Sequence, residues 1–180
     1  MLIIYSVVTY NAFIKKDEQV KLKWSEVQNA YQRRIDFIPN IVSVVRGQAD
    51  FEQSTLVKVV EARAKASSVN INGSVPTENE HEQFKNAQNE LATAANNLIV
   101  TVEKYPELRG TEAFAGLQTQ LEGTERRIKV ARKDFNIAIA NYNSYIKSFP
   151  AKLVAAVFGF TIKSGFQSDE GSDKLIEIKF

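Results

Sequence analysis

The sequence predicts an all-α fold, an antiparallel up-and-down bundle of four helices with a short apolar extension at its C-terminal end. Three observations carry that expectation. First, Phe114, Leu117, Leu121, Thr124, Ile128, Ala131, Phe135, Ala138, Tyr142, Tyr145 and Phe149 follow one another in steps of three and four, with Lys, Arg, Glu and Asn between them. Such a heptad seam marks a long amphipathic helix with one stripe to bury. Second, three stretches upstream carry helix-spaced apolar residues of their own. Third, Pro, Gly, Ser and Asn fall in the intervals between the stretches, where a chain turns.

The first stretch runs from about Thr9 to Phe37, with a stripe through Phe13, Val20, Trp24, Val27, Tyr31 and Ile38. Pro39 removes a backbone donor and crowds the carbonyl four residues back, so a helix kinks or restarts there. One helix from Thr9 to Ala66 would measure about 87 Å, against about 57 Å for the seam helix. Half of its apolar stripe would then lack a partner. Residues 37–40 therefore read as a tight reversal, with Pro39 opening the second helix. That helix extends to about Ala66 through Val42, Val45, Ala49, Leu56 and Val59. Residues 67–77 read as a loop. Thr77 and Glu80 form a capping-box pair for the third helix, which runs to about Tyr105 through Phe84, Leu91, Ala95, Leu98 and Val102. Pro106 ends it, and the seam helix follows from about Glu112 to Ser148.

The 180 residues suffice for one continuous core. Hydrophobic residues make up 44% and charged residues 24%, a globular balance. With 23 basic and 21 acidic residues the net charge is +2, too near neutral to favour nucleic acid as a partner. The absence of Cys excludes disulfides, thiolate chemistry and a Cys-based zinc site.

At the N-terminus, residues 1–8 form an uncharged apolar run. It is shorter than the roughly 20 residues that span a bilayer, and it lacks the charged start and small-residue cleavage site of a signal peptide. Two readings fit: a first helical turn tucked into the core, or the C-terminal stub of a membrane anchor. After Phe149 and Pro150 comes residues 150–180, read as a partly flexible extension. Within it, Leu153 to Phe160 is nearly all apolar and lacks a polar face, which favours closing the base of the bundle over lying on a membrane. Gly165 to Lys174 is polar and reads as mobile. Leu175, Ile176, Ile178 and Phe180 alternate with charged residues, as in a short strand or a disordered tail.

Several short motifs in this order resemble the LemA family. They are Tyr10-Asn11, Gln32-Arg33-Arg34, Ile38-Pro39-Asn40-Ile41-Val42, Glu61-Ala62-Arg63-Ala64, Tyr105-Pro106-Glu107-Leu108 and Leu121-Glu122-Gly123-Thr124-Glu125. Arg127-Ile128, Ala131-Arg132, Tyr142-Asn143, Phe149-Pro150 and Phe158-Gly159-Phe160 complete the series. No single piece is specific; their order and spacing are. The resemblance implies an N-terminal membrane helix followed by an up-and-down bundle of the bromodomain-like kind over residues 9–149. It favours the anchor reading of residues 1–8, and it implies no reaction.

A di-iron site in a bundle needs Glu-x-x-His motifs on two helices. The only His is His81, beside Glu78, Glu80 and Glu82 at a helix start, where acidic residues suit the helix dipole. A single His and no Cys also leave no nucleophilic triad to assemble. No catalytic, metal or cofactor residue is therefore expected, and the chain reads as a non-enzyme.

Arg33, Arg34, Arg126, Arg127, Arg132 and Lys133, interleaved with Asp36, Glu122, Glu125 and Asp134, read as a solvated face of surface pairs, or as a docking surface. Arg34 and Arg63 lie at or beside their seams, in reach of carboxylates such as Asp36, Glu122 or Glu125. A buried pair of this kind would fix register. The expected partners are a membrane, through the anchor, and an unidentified protein, self-association included. Lys15, Lys16, Lys21 and Lys23 follow the apolar run and place the bundle on the cytoplasmic side.

Two geometric expectations follow from the four-helix reading. The reversals at Pro39 and Pro106 share the membrane-distal tip. Tyr10, the 67–77 loop, Phe149 and the apolar stretch Leu153 to Phe160 share the membrane end, with the seam helix overhanging. Counted from the distal tip, Trp24 falls level with Gly123, and its indole is expected over Gly123 and Thr124.

Overall fold

The computed structural model describes residues 2–47, 51–69, 71 and 75–167. Every regular element among them is helical: α1 Leu2–Arg46, α2 Gln53–Ser68, α3 Glu78–Val102, α4 Pro106–Arg109, α5 Glu112–Lys147 and α6 Ala151–Phe158. The alternation at Leu175, Ile176, Ile178 and Phe180, with most of the polar stretch before it, lies outside the described residues.

The expected reversal at residues 37–40 does not occur. Pro39 sits inside α1, which continues to Arg46. A proline there leaves the carbonyl of Ile35 without its intrahelical donor. Arg63 of α2 fills the gap, its Nε donating to the Ile35 oxygen at 3.1 Å. Pro39 itself is exposed, so its ring faces outward. The chain reverses only after Arg46, and Phe51 then packs on Tyr105 with ring centroids 4.9 Å apart. This places the real reversal beside the α3–α4 turn, at the distal tip. Pro106 opens α4 at its first position, and the Thr77–Glu80 capping box forms as expected.

α1 and α5 run antiparallel along their shared length. Phe13 meets Tyr145, Trp24 meets Phe135, and Arg34 meets Glu125. In that register Gly123 lies level with Asp36, and a Cβ built on Gly123 touches nothing. Trp24 instead packs among Phe84, Phe135, Phe166 and His81. The expected Trp24–Gly123 contact fails because it was counted from a helix end at Ile38 that does not exist. The seam of α5 also drifts. Ile139 and Ile146 are buried where Ala138 and Tyr145 were expected, and Phe149 is 84% exposed. A helix of 3.6 residues per turn rotates away from a strict seven-residue repeat, by about 20° per heptad.

Helix lengths divide the molecule into two tiers. α1 has 45 residues and α5 has 36, roughly 68 and 54 Å. α2 has 16 and α3 has 25, roughly 24 and 38 Å. The distal cluster joins all four around Ile38, Ile41, Val45, Val59, Leu91 and Leu98. The proximal cluster, around Phe13, Val20, Trp24, Phe135 and Tyr142, lies mostly beyond the reach of α2. Ile71, beyond the end of α2, accordingly lies at mid-height rather than at the proximal end, its oxygen accepting from Gln28 Nε2 at 2.7 Å.

The remainder of the proximal stripe is covered by the C-terminal extension. α6 buries Ala151, Val154 and Ala155 against α1 and α5. Gly159, left-handed at φ 75°, ends α6. Residues 160–167 then form a strap that runs back along α5 without regular secondary structure. Phe160 stacks on Phe13, and Phe166 reaches Trp24. Gly165 and Phe166 are thus packed rather than free, against the expectation for that stretch. The overhang at this end belongs to α1, not α5, with Phe158 beside Tyr10.

The Pro39–Arg63 pairing predicts a thermodynamic coupling. Arg63→Met should destabilise by about 1–3 kcal/mol, the usual penalty of an unsatisfied buried acceptor. In a Pro39→Ala background the restored backbone donor serves Ile35, and the same substitution should cost markedly less. Chemical denaturation of the four proteins in this cycle reads the difference; equal costs in both backgrounds would contradict the pairing.

Candidate functional site

A polar layer separates the two apolar clusters. Arg34 of α1 is 3% exposed, between Tyr31 and Ile35. Its guanidinium meets the Glu125 carboxylate of α5 at 2.5 and 2.6 Å, and donates to the Gln88 backbone oxygen of α3 at 3.2 Å. It also lies over the Tyr31 ring at 5.3 Å. One side chain thereby ties three helices at one level. Glu125 is 44% exposed on its side chain, so water reaches one partner and not the other.

The other charged residues singled out in the sequence are dispersed. Arg63 reaches the Ile35 carbonyl rather than a carboxylate. Asp36 accepts from Gln32 on the surface at 2.8 Å. Glu122 is exposed and forms no ion pair among the described residues. Arg33, Arg126 and Arg127 line a shallow groove between α1 and α5 that also holds Glu26 and Asp134. No group of three or more His, Asp or Glu with metal-binding geometry occurs among the described residues.

Sequence reasoning missed the groove that holds the strap. Asn136 Nδ2 donates to the Phe166 oxygen at 2.8 Å, and Asn136 Oδ1 accepts from the Phe166 nitrogen at 2.9 Å. Asn143 makes the same pair with Lys163, at 2.8 and 2.9 Å. Each carboxamide thus grips both polar groups of one peptide residue. Lys163 Nζ meets Asp17 at 2.9 Å and lies over the Tyr142 ring at 5.2 Å. Burial works to raise the Asp17 carboxyl, but hydrogen bonds from Lys163 and Lys21 outweigh it and hold the group below its ordinary range. Arg132 lies over the Phe166 ring at 4.7 Å. A Cβ on Gly165 would come within 2.5 Å of Asn136 Oδ1, so the clamp admits only glycine there without moving. The available signal was the seven-residue spacing of Asn136 and Asn143 beside the seam, where Asn reads as solvent-facing filler.

His81 is buried edge-on to Phe166, with ring centroids 4.1 Å apart. Burial first, then the charges of Arg132 and Lys85, depress its pKa.

The proximal end carries an apolar surface. Ile3, Ile4, Val7 and Val8 on α1 and Phe149, Leu153, Val157 and Phe158 on or beside α6 are all exposed. α6 therefore packs on the bundle with one face and leaves the other uncovered. No helix among the described residues is long and apolar enough to cross a membrane.

A family model described as the LemA family matches residues 23–180. The magnetosome protein MamQ 2 of Paramagnetospirillum magneticum is 24% identical over 91% of this chain and 66% of its own length. MamQ of Magnetospirillum gryphiswaldense matches at the same identity and coverage. The protein LemA of Metamycoplasma hominis is 22% identical over 89% of this chain and 69% of its own. The chain thus spans just under two thirds of the MamQ relatives it matches.

The polar layer predicts an asymmetry. Glu125→Ala strands a buried guanidinium and should cost roughly 3 kcal/mol, the low end for broken buried pairs because Glu125 is half-solvated. Arg34→Met leaves a carboxylate that water can reach and should cost less. Urea denaturation of both variants orders them, and the reverse order would contradict the layer as described.

His81 predicts a pH dependence. Its folded pKa lies below the ordinary 6.5, so the unfolded chain binds the extra proton first. Its contribution is complete above pH 6.5 and is lost as pH falls from there toward the folded value. Stability should decline between pH 7 and 5, and His81→Phe should flatten that decline; an unchanged slope would show that His81 is not its source.

Proposed function

The chain belongs to the LemA family, and on that premise we propose that it is a membrane-anchored helical scaffold, an interaction domain rather than an enzyme. The observation that carries the reading is the apolar proximal end. Ile3 is 79% and Val157 80% exposed, on two helices that meet at one end of the molecule. Contiguous exposed apolar surface of this kind marks a contact with protein or membrane. Exposure of Ile3, Ile4, Val7 and Val8, which share one broad face of α1, suits a helix end entering lipid. Residues 1–8 would then close a membrane anchor. α6 would rest its outer face in the interfacial region, on the same side of the bilayer as the bundle.

The domain itself is proposed to be an up-and-down arrangement of four helices of the bromodomain-like kind. The antiparallel α1–α5 pairing and the α2–α3 hairpin support that reading. Lys15, Lys16, Lys21 and Lys23 flank the apolar run and favour a cytoplasmic bundle. The α1–α5 groove with Arg33, Arg126 and Arg127 is the proposed face for a protein partner. The relatives carry no enzyme names, which supports a non-catalytic role.

A second reading, a membrane-organising protein, is favoured by the outer face of α6 alone. Flotation with anionic lipid vesicles tests both. The intact chain should float, and Leu153→Glu with Val157→Glu should reduce vesicle partition more than tenfold, since each buried aliphatic side chain contributes about 1.5–3 kcal/mol. Flotation unaffected by the double substitution would leave attachment to α1 alone and remove the membrane-organising reading. A chain that stays in the dense fraction would contradict both.

A further inference from the structure

The strap is held as a bound peptide is held. Its backbone meets two side chains on α5, Asn136 and Asn143, and each engages the N–H and C=O of a single residue. The two asparagines are seven residues apart, an advance of about 10.5 Å along a helix. The residues that they grip, Lys163 and Phe166, are three apart, about 10 Å of extended chain. The two spacings match, so the groove reads an extended backbone at three-residue intervals. Specificity comes from Asp17, which takes the Lys163 ammonium, and from the aromatic cluster of Trp24, His81 and Phe135, which takes the Phe166 ring.

We propose that this groove is an extended-peptide site, filled in cis by residues 160–166, and that it accepts the same segment from a second copy of the chain. The occupant follows from the matched chemistry: an aromatic residue, a lysine three positions on, and Gly-Phe two positions beyond that. None of these contacts depends on the strap belonging to the same molecule. The strap leaves α6 at Gly159, the one residue with positive φ among the described residues, where no atom lies within 4 Å of an added Cβ. Rotation there directs the strap outward at the cost of the Phe160 amide's hydrogen bond to the Ala155 oxygen and of the Phe160 ring's stack on Phe13. Exchange between two copies then restores the groove contacts of Lys163 and Phe166, the route by which identical chains dimerise through a shared element.

Two variants of the full chain test the exchange by complementation. Asn136→Ala with Asn143→Ala keeps the strap and damages the groove. Lys163→Ala with Phe166→Ala keeps the groove and damages the strap. Each alone should be monomeric by light scattering, and the mixture should contain a species of twice the mass. A mixture that remains monomeric into the millimolar range would overturn the proposal. So would equal dimerisation of each variant alone, which would place the interface elsewhere. Should either variant lose its helical circular dichroism, the intact groove and strap serve instead. The chain has no Cys, so Ser164→Cys in one population and Lys133→Cys in another can carry a donor and an acceptor. Energy transfer between the populations, abolished by excess unlabelled chain, is the expected result. Its absence at concentrations near 1 mM would overturn the exchange.

Discussion

The mismatch in length between the two helix pairs governs this structure. α1 and α5 are long enough to bury an apolar stripe over nearly their whole shared length, while α2 covers only the distal part and α3 reaches only as far as Trp24, through Phe84 and His81. An uncovered stripe carrying Phe13, Trp24 and Phe135 would be costly in water, at about 25 cal/mol for each Å² left exposed. The chain meets that demand with material that follows α5. A short helix covers the end of the stripe, and a strap without secondary structure covers its middle. The strap lacks a hydrogen-bond ladder, so its polar backbone needs partners from outside itself. Asn136 and Asn143 supply them. The asparagine clamps are therefore a consequence of closing a helical groove with an extended segment.

Two polar devices hold the register of the long helices. The Arg34 guanidinium joins α1, α3 and α5 at the boundary between the clusters. Its desolvation limits what the pair adds to stability, but a misregistered α5 would leave the guanidinium buried without its carboxylate. The second device is Arg63, whose donation to Ile35 lets α1 pass through Pro39 unbroken. Continuity of α1 in turn sets the proximal geometry. Eight further residues before the reversal shift every α1 residue relative to α5, which is why Trp24 faces Phe135 and not Gly123.

What could be read from the sequence was whatever has a local cause. The seam of α5, the capping box of α3, the loop before it and the turn at Pro106 rest on neighbouring residues and their periodicities. Continuity at Pro39 has a remote cause: the compensating donor lies 28 residues away from the carbonyl that it serves. A long first helix does carry a stripe that α2 leaves unpartnered, and a strap without regular structure covers it. The strap left almost no sequence signal, because its recognition runs through its backbone, and a backbone carries no pattern. Of the charged residues singled out, Arg34 and Glu125 meet because both sit beside apolar seams. Arg33, Glu122 and Arg127 remain on the surface, as their seam-distant positions dictate.

The central claim is that residues 160–167 form an ordered layer of the proximal core, fixed by backbone hydrogen bonds to two asparagines. Amide hydrogen exchange at single-residue resolution tests it most directly. The Lys163 and Phe166 amides should be protected, their neighbours Ile162 and Ser164 should exchange freely, and Asn136→Ala should release Phe166 while amides within α2 and α3 keep their protection. Uniformly fast exchange across residues 160–167 in the intact protein would contradict the account.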